Sequence, residues 1–147
     1  MSAHPRRALL LLAGILIPRT ALAAGAVTVA EVEATSRQAG VREVAKGAVV
    51  GAQGTQNFVG ADGKLLLILS LGSAKDYRDA RAAFAKRTEI ASLGDEAFYP
   101  TDFIHALYVR KGDRLVGLGS GLNPATGQPI LSQAQLQALA KLAVDRL

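Results

Sequence analysis

The chain of 147 residues contains no cysteine and no tryptophan, a single methionine and only two histidines. Without cysteine there can be no disulfide, no thiolate nucleophile and no Cys–Zn site, so a folded domain has to be held by its apolar core. One histidine, His4, falls in the first residues, which leaves His105 as the only imidazole in the rest of the chain. A two-histidine metal site within one copy is thereby excluded, and any Ser-His-Asp arrangement has to use His105.

The segment with the clearest meaning is N-terminal. Arg6 and Arg7 precede the unbroken apolar run Ala8–Ile17, and Ala21-Leu22-Ala23 offers small residues around a cleavable bond. That is the layout of a secretory signal peptide over residues 1–23. The run is shorter than the roughly 20 residues that span a bilayer, and Pro18 ends it. The surroundings of Arg6-Arg7 match a twin-arginine signal poorly, so ordinary secretion is expected. No cysteine stands near the cleavage point to carry a lipid, and the product is expected in the periplasm or outside the cell. Residues 24–147 then read as a single domain, expected to be monomeric. The leader takes three arginines and no acidic residue with it, which lowers the formal charge from +5 to +2 and removes much of the case for a nucleic-acid partner.

Across residues 24–147 the elements announce themselves by caps and turns. Thr28 with Glu31 forms a capping box and predicts a short helix over Val29–Arg37. Within Gly40–Gly54 the stretch AVVGA reads as an edge strand. Asp62-Gly63 reads as a two-residue hairpin turn, followed by a strand, LLLILSL, whose continuous apolarity predicts burial on both faces. Ser73 caps a helix predicted over Ala74–Arg87 with Tyr77, Ala80 and Phe84 inward.

A second hairpin over Phe103–Gly121 turns at Gly112-Asp113, and counting back from that turn pairs Val109 with Val116 and Leu107 with Leu118. On the other face Tyr108 lies over Gly117, Ala106 over Gly119 and Ile104 over Gly121. This glycine stripe reads either as a packing device or as a place where a ligand approaches the backbone. After a Pro/Gly loop, Ser132 and Gln135 cap a last helix with Leu136, Leu139, Ala140, Ala143 and Leu147 inward. The expected architecture is α+β: an antiparallel sheet of two hairpins with four to five strands, two main helices on one face and a short N-terminal helix.

Three groups of residues invite chemistry. Asp95 and Glu96 are adjacent in SLGDEAFY, and on an extended chain neighbours point to opposite sides, so they are read as turn-formers and not as a glycosidase pair. His105, with Asp102 three residues before it and Ser120 across the hairpin, is the one nucleophile–base–acid set available. Two residues three apart on a strand sit about 10 Å apart and face opposite ways, so Asp102 orients His105 only if the chain bends. Gly117–Gly121 (GLGSG) lacks the Lys-Ser/Thr ending of a nucleotide-binding loop and opens no helix. Arg110, Lys111 and Arg114 cluster at the second hairpin tip, where they either touch an anionic envelope surface or protect the sheet edge.

From SLGDEAFY through LYVRKGDRLVGL to LQALAKLAVDRL, the chain resembles a group of small exported bacterial proteins of unknown function, in which a Leu-Gly-Asp turn, a Lys-Gly-Asp hairpin and a closing helix follow in that order. Many members of that group look like lipoproteins with cysteines, and this chain has none. The resemblance implies the fold and export, and no activity. Two function classes follow: an exported, non-catalytic module binding a partner protein or envelope component without a cofactor, and a small periplasmic hydrolase using His105 with Ser120 and Asp102.

Overall fold

A computed structural model describes residues 25–45 and 54–147. The leader over residues 1–23 and the AVVGA edge strand expected at residues 48–52 lie outside the described residues. Among those described, helices α1 (Val29–Ser36), α2 (Ala74–Ala83) and α3 (Gln133–Val144) accompany strands β1 (Arg42–Val44), β2 (Gly54–Val59), β3 (Leu65–Ser73), β4 (Arg87–Ile90), β5 (Glu96–Pro100), β6 (Ala106–Lys111) and β7 (Arg114–Ser120). The strands form one antiparallel sheet in the order β1-β2-β3-β7-β6-β5-β4. The fold is α+β as expected, but with seven strands in place of four to five. Among the described residues no helix is long and apolar enough to cross a membrane.

The helix starts follow the caps. Thr28, Ser73 and Ser132 each accept a bond from the amide three residues on, and Glu31, Asp76 and Gln135 bond back to the cap amide. Each exchange satisfies two backbone donors that a helix start leaves free. Leu136, Leu139, Ala140 and Ala143 of α3 are buried. Leu147 is 42% exposed, correcting its place in the inward stripe, because the helix ends at Val144 and the remaining residues leave the 3.6-residue period.

The expectation of helices on one face is also corrected. Leu107 and Val109 of β6, with Leu67, Leu69 and Leu71 of β3 and Val116 and Leu118 of β7, share a core with α3 and α1. Tyr108 and Leu115, which alternate with those residues, pack with Phe98 against Tyr77 and Ala80 of α2 and Phe84 at its C-cap. Since successive strand residues point to opposite sides, α2 lies on the other face. The reason is the second apolar set: Phe98 stacks on Tyr108 at 5.2 Å and meets Tyr77 edge-on at 5.5 Å, a cluster that needs its own cover.

Turn geometry corrects one hairpin and supports the other. Between β2 and β3 only Gly63 has positive φ (+77°), Gly63 N–H donates to the Gly60 carbonyl and Gly60 N–H to the Lys64 carbonyl, so the loop is Ala61-Asp62-Gly63 and not Asp62-Gly63 alone. A two-residue turn of the Asp-Gly kind needs positive φ at both positions, and three-residue loops end on a left-handed glycine. The β6–β7 hairpin turns at Gly112-Asp113, with Lys111 opposite Arg114, Val109 opposite Val116 and Leu107 opposite Leu118.

Candidate functional site

The His105 set is brought together through its backbone and not through its reactive groups. Ser120 N–H donates to the His105 carbonyl at 2.7 Å. The Ser120 hydroxyl is buried, donates to the Gly121 carbonyl at 2.8 Å and accepts from the Leu131 amide at 2.8 Å, pinning the loop that leads into α3. The His105 ring meets Phe103 edge-on at 5.8 Å, and Asp102 is exposed in the turn before β6. Among the described residues no hydrogen bond or ion pair joins the side chains of Asp102, His105 and Ser120. A general base has to stand within about 2.6–3.2 Å of the proton it takes.

The acidic pair is tied to the β6–β7 hairpin. Gly94 adopts φ +60°, and Asp95 then accepts a bond from the Gly112 amide at 2.7 Å in the distant β6–β7 turn. That bond, with Lys111 and Arg110 close by, holds the Asp95 carboxyl below its usual range. Glu96 takes the Arg110 Nε at 3.0 Å, and Arg110 Nη1 also lies 3.5 Å from Asp95. The two carboxylates therefore converge on one guanidinium, correcting the expectation that they diverge; Asp95 belongs to the turn before β5, where strand alternation does not apply. Of the basic cluster, Arg110 and Lys111 are spent on these carboxylates, Lys111 at 3.7 Å from Asp95. Among the described residues no group of three or more His, Asp or Glu is gathered that could hold a metal ion.

The glycine stripe divides into different roles. A Cβ at Gly121 would stand 1.8 Å from the Leu65 carbonyl oxygen, and one at Gly117 would meet the Ser70 hydroxyl at 2.8 Å with the Tyr108 ring at 3.8 Å. These two positions are closed by packing. Above Gly119, between Ile68 of β3 and Ala106 of β6, no heavy atom of the described residues lies within 4 Å of the Cβ position.

That open space adjoins the half of the sheet face that α2 leaves uncovered. The expectation that β3 is buried on both faces is corrected here: Leu67, Leu69 and Leu71 are buried under α3, while Leu65 is 38% exposed and Ile68 is half-buried. Leu65 and Ile68 line an open groove of about 470 Å³ with Arg42 and Val44 of β1 and Asn57 and Val59 of β2. The register sets them in two rows. Arg42, Val59 and Leu65 form one, and Val44, Asn57 and Ile68 form the other, which runs on to Gly119.

Asn57 is the unusual member. It is only 6% exposed, it lines the groove, and its carboxamide forms no hydrogen bond with another described side chain or backbone group. Its sequence neighbour Gln56 points to the opposite face and is fully used there, exchanging two bonds with the Val27 backbone and donating to Glu43. The Asn57 amide atoms open onto the groove, unlike Tyr77 Oη and Gln133 Oε1, which are the sealed side-chain atoms without a partner among the described residues. The residues of this groove were not singled out in the sequence. The available signal was the polar Gln56-Asn57 pair inside an otherwise apolar strand, where alternation forces one amide onto each face.

No family model, no curated protein and no solved structure matches the chain.

Proposed function

We propose that this protein is an exported, non-catalytic binding module that holds a small component of the cell envelope on the sheet face over β1, β2 and β3. The observation that carries this reading is Asn57: its carboxamide lines an open, largely aliphatic groove and is bound to no other described group, which leaves its donor and acceptor free for a ligand. The groove's volume lies within the range of about 300–1,000 Å³ common for small-molecule sites. Catalysis finds less support. The Ser120 hydroxyl is committed to two backbone partners, and the adjacent carboxylates are neutralised by Arg110 and Lys111.

The test uses a neutral solvatochromic dye that fluoresces in apolar surroundings. The purified protein is expected to bind it, and Ile68→Glu, which places a charge in the groove on a half-buried position, is expected to abolish binding with the circular dichroism spectrum unchanged. Unaltered dye binding in a folded Ile68→Glu variant refutes the reading.

A further inference from the structure

We infer that the ligand of this groove is a straight-chain aliphatic carboxylic acid, its alkyl chain lying along β1–β2–β3 and its carboxylate held between Arg42 and Asn57; the inference rests on the binding reading above and names its ligand class. Four of the six lining side chains, Val44, Val59, Leu65 and Ile68, are aliphatic and offer no hydrogen bond, so the body of the ligand has to be apolar. The two polar members define the head.

Arg42 stands opposite Val59, and Asn57 stands opposite Val44 on the same face. They are diagonal cross-strand neighbours, about 7–8 Å apart at the backbone, within mutual reach of a long side chain and a shared ligand group. Among the described residues Arg42 makes no ion pair or hydrogen bond. The nearest carboxylate in sequence, Glu43, points through the sheet to the opposite face, where it accepts from Gln56 Nε2 at 3.3 Å. Asp62, at the hairpin tip, pairs with Lys64 at 3.5 Å.

One permanent cation and one carboxamide donor therefore face the same apolar groove with no counter-charge among the described residues. A carboxylate presents one negative charge and two acceptor oxygens, which matches a guanidinium on one side and an amide N–H on the other. The length is set by the sheet. Three strand spacings of about 4.8 Å separate β1 from the open space over Gly119 on β7, giving an extended chain roughly 14 Å to lie in.

Isothermal titration of the purified protein with dodecanoate, dodecan-1-ol and dodecylamine, each below its aggregation concentration, tests the assignment. Dodecanoate is expected to bind about tenfold more tightly than the alcohol, and the amine more weakly still. Arg42→Gln is expected to bring dodecanoate level with the alcohol and leave the alcohol unchanged. Asn57→Leu also weakens dodecanoate while keeping or raising the melting temperature, since it exchanges an unpartnered amide for an apolar group of similar size. Equal affinity for acid and alcohol, or an undiminished dodecanoate affinity in Arg42→Gln, overturns the carboxylate assignment. So does failure of all three compounds to bind. In each of these cases dye binding lost in Ile68→Glu would leave the groove itself standing as a site, whereas dye binding kept in that variant removes both.

Discussion

The Asp95 carboxylate accepts a hydrogen bond from the Gly112 amide at 2.7 Å, joining the turn before β5 to the turn between β6 and β7 across 17 positions of sequence. The bond runs beside a second one, from Asp95 N–H to the Arg110 carbonyl at 2.8 Å, so one residue holds the β6–β7 hairpin tip by both its backbone and its side chain. Because the Gly112 amide favours the ionised carboxylate, Asp95 titrates below its ordinary 3.8. A depressed carboxyl stabilises the fold above its unfolded value, and that contribution disappears as pH falls through the folded one. Asp95→Asn is expected to melt below the parent at neutral pH, with the gap closing as pH falls below 3.8. Melting curves measured between pH 7 and pH 2 check this, and a gap independent of pH would show that the ionised state is irrelevant.

The termini of the fold are tied in the same way. Arg146 pairs with Glu31 through both guanidinium nitrogens, one of them at 2.8 Å, and also donates to the Ala26 carbonyl at 2.8 Å. The Arg146 hydrogen bond is the main cause that lowers Glu31 from 4.5 to about 2, with the Thr28 cap adding to it. Glu31→Gln is expected to cost about 1 kcal/mol above pH 4.5, the pair being partly solvated. The difference from the parent should vanish as pH falls from 4.5 toward 2, read by urea denaturation at several pH values.

Three glycine-to-alanine exchanges separate packing from open space. Gly94→Ala puts a Cβ 2.5 Å from the Arg110 carbonyl oxygen at a φ of +60°, and is expected to cost about 2–4 kcal/mol. Gly121→Ala meets the Leu65 carbonyl oxygen at 1.8 Å and should be at least as damaging. Gly119→Ala has nothing within 4 Å and is expected to stay within about 0.5 kcal/mol of the parent. Thermal unfolding of the three proteins side by side checks the order.

Ser120 and His105 can be told apart by stability. Ser120→Ala removes the acceptor of the buried Leu131 amide and should cost about 1–3 kcal/mol, loosening the entry to α3. His105→Ala removes one edge contact with Phe103 on a half-buried position, and a change of under about 1 kcal/mol is expected. Equal losses from both replacements would point to a coupling of the two side chains that their bonding does not contain.

Much of the local structure was legible in the chain. The three capping residues Thr28, Ser73 and Ser132 each start the helix expected of them, and the β6–β7 register follows from a turn of known length. The strand Arg87–Ile90 was not legible, since RTEI reads as a charged stretch; its charges are taken up on the face that α2 covers, where Arg87 pairs with Glu89 at 3.0 Å and donates to the Arg81 and Phe84 carbonyls, and Glu89 accepts from Arg81. Nor was the groove, because Arg42, Asn57 and Ile68 lie on three strands and share a face only once β1, β2 and β3 are in register.

What the sequence by itself determined were the features carried by neighbours a few positions apart: the three caps, the β6–β7 turn, and the apolar stripes of α2 and of α3 up to Ala143. What only the tertiary structure decided was the side of the sheet each helix covers and the stretch left bare. A strand offers two faces of comparable apolarity at Leu107 and Tyr108, and local interactions cannot choose between them. The choice falls to long-range packing, which seats α2 on Phe98 and Tyr108 and leaves Asn57 facing an open groove.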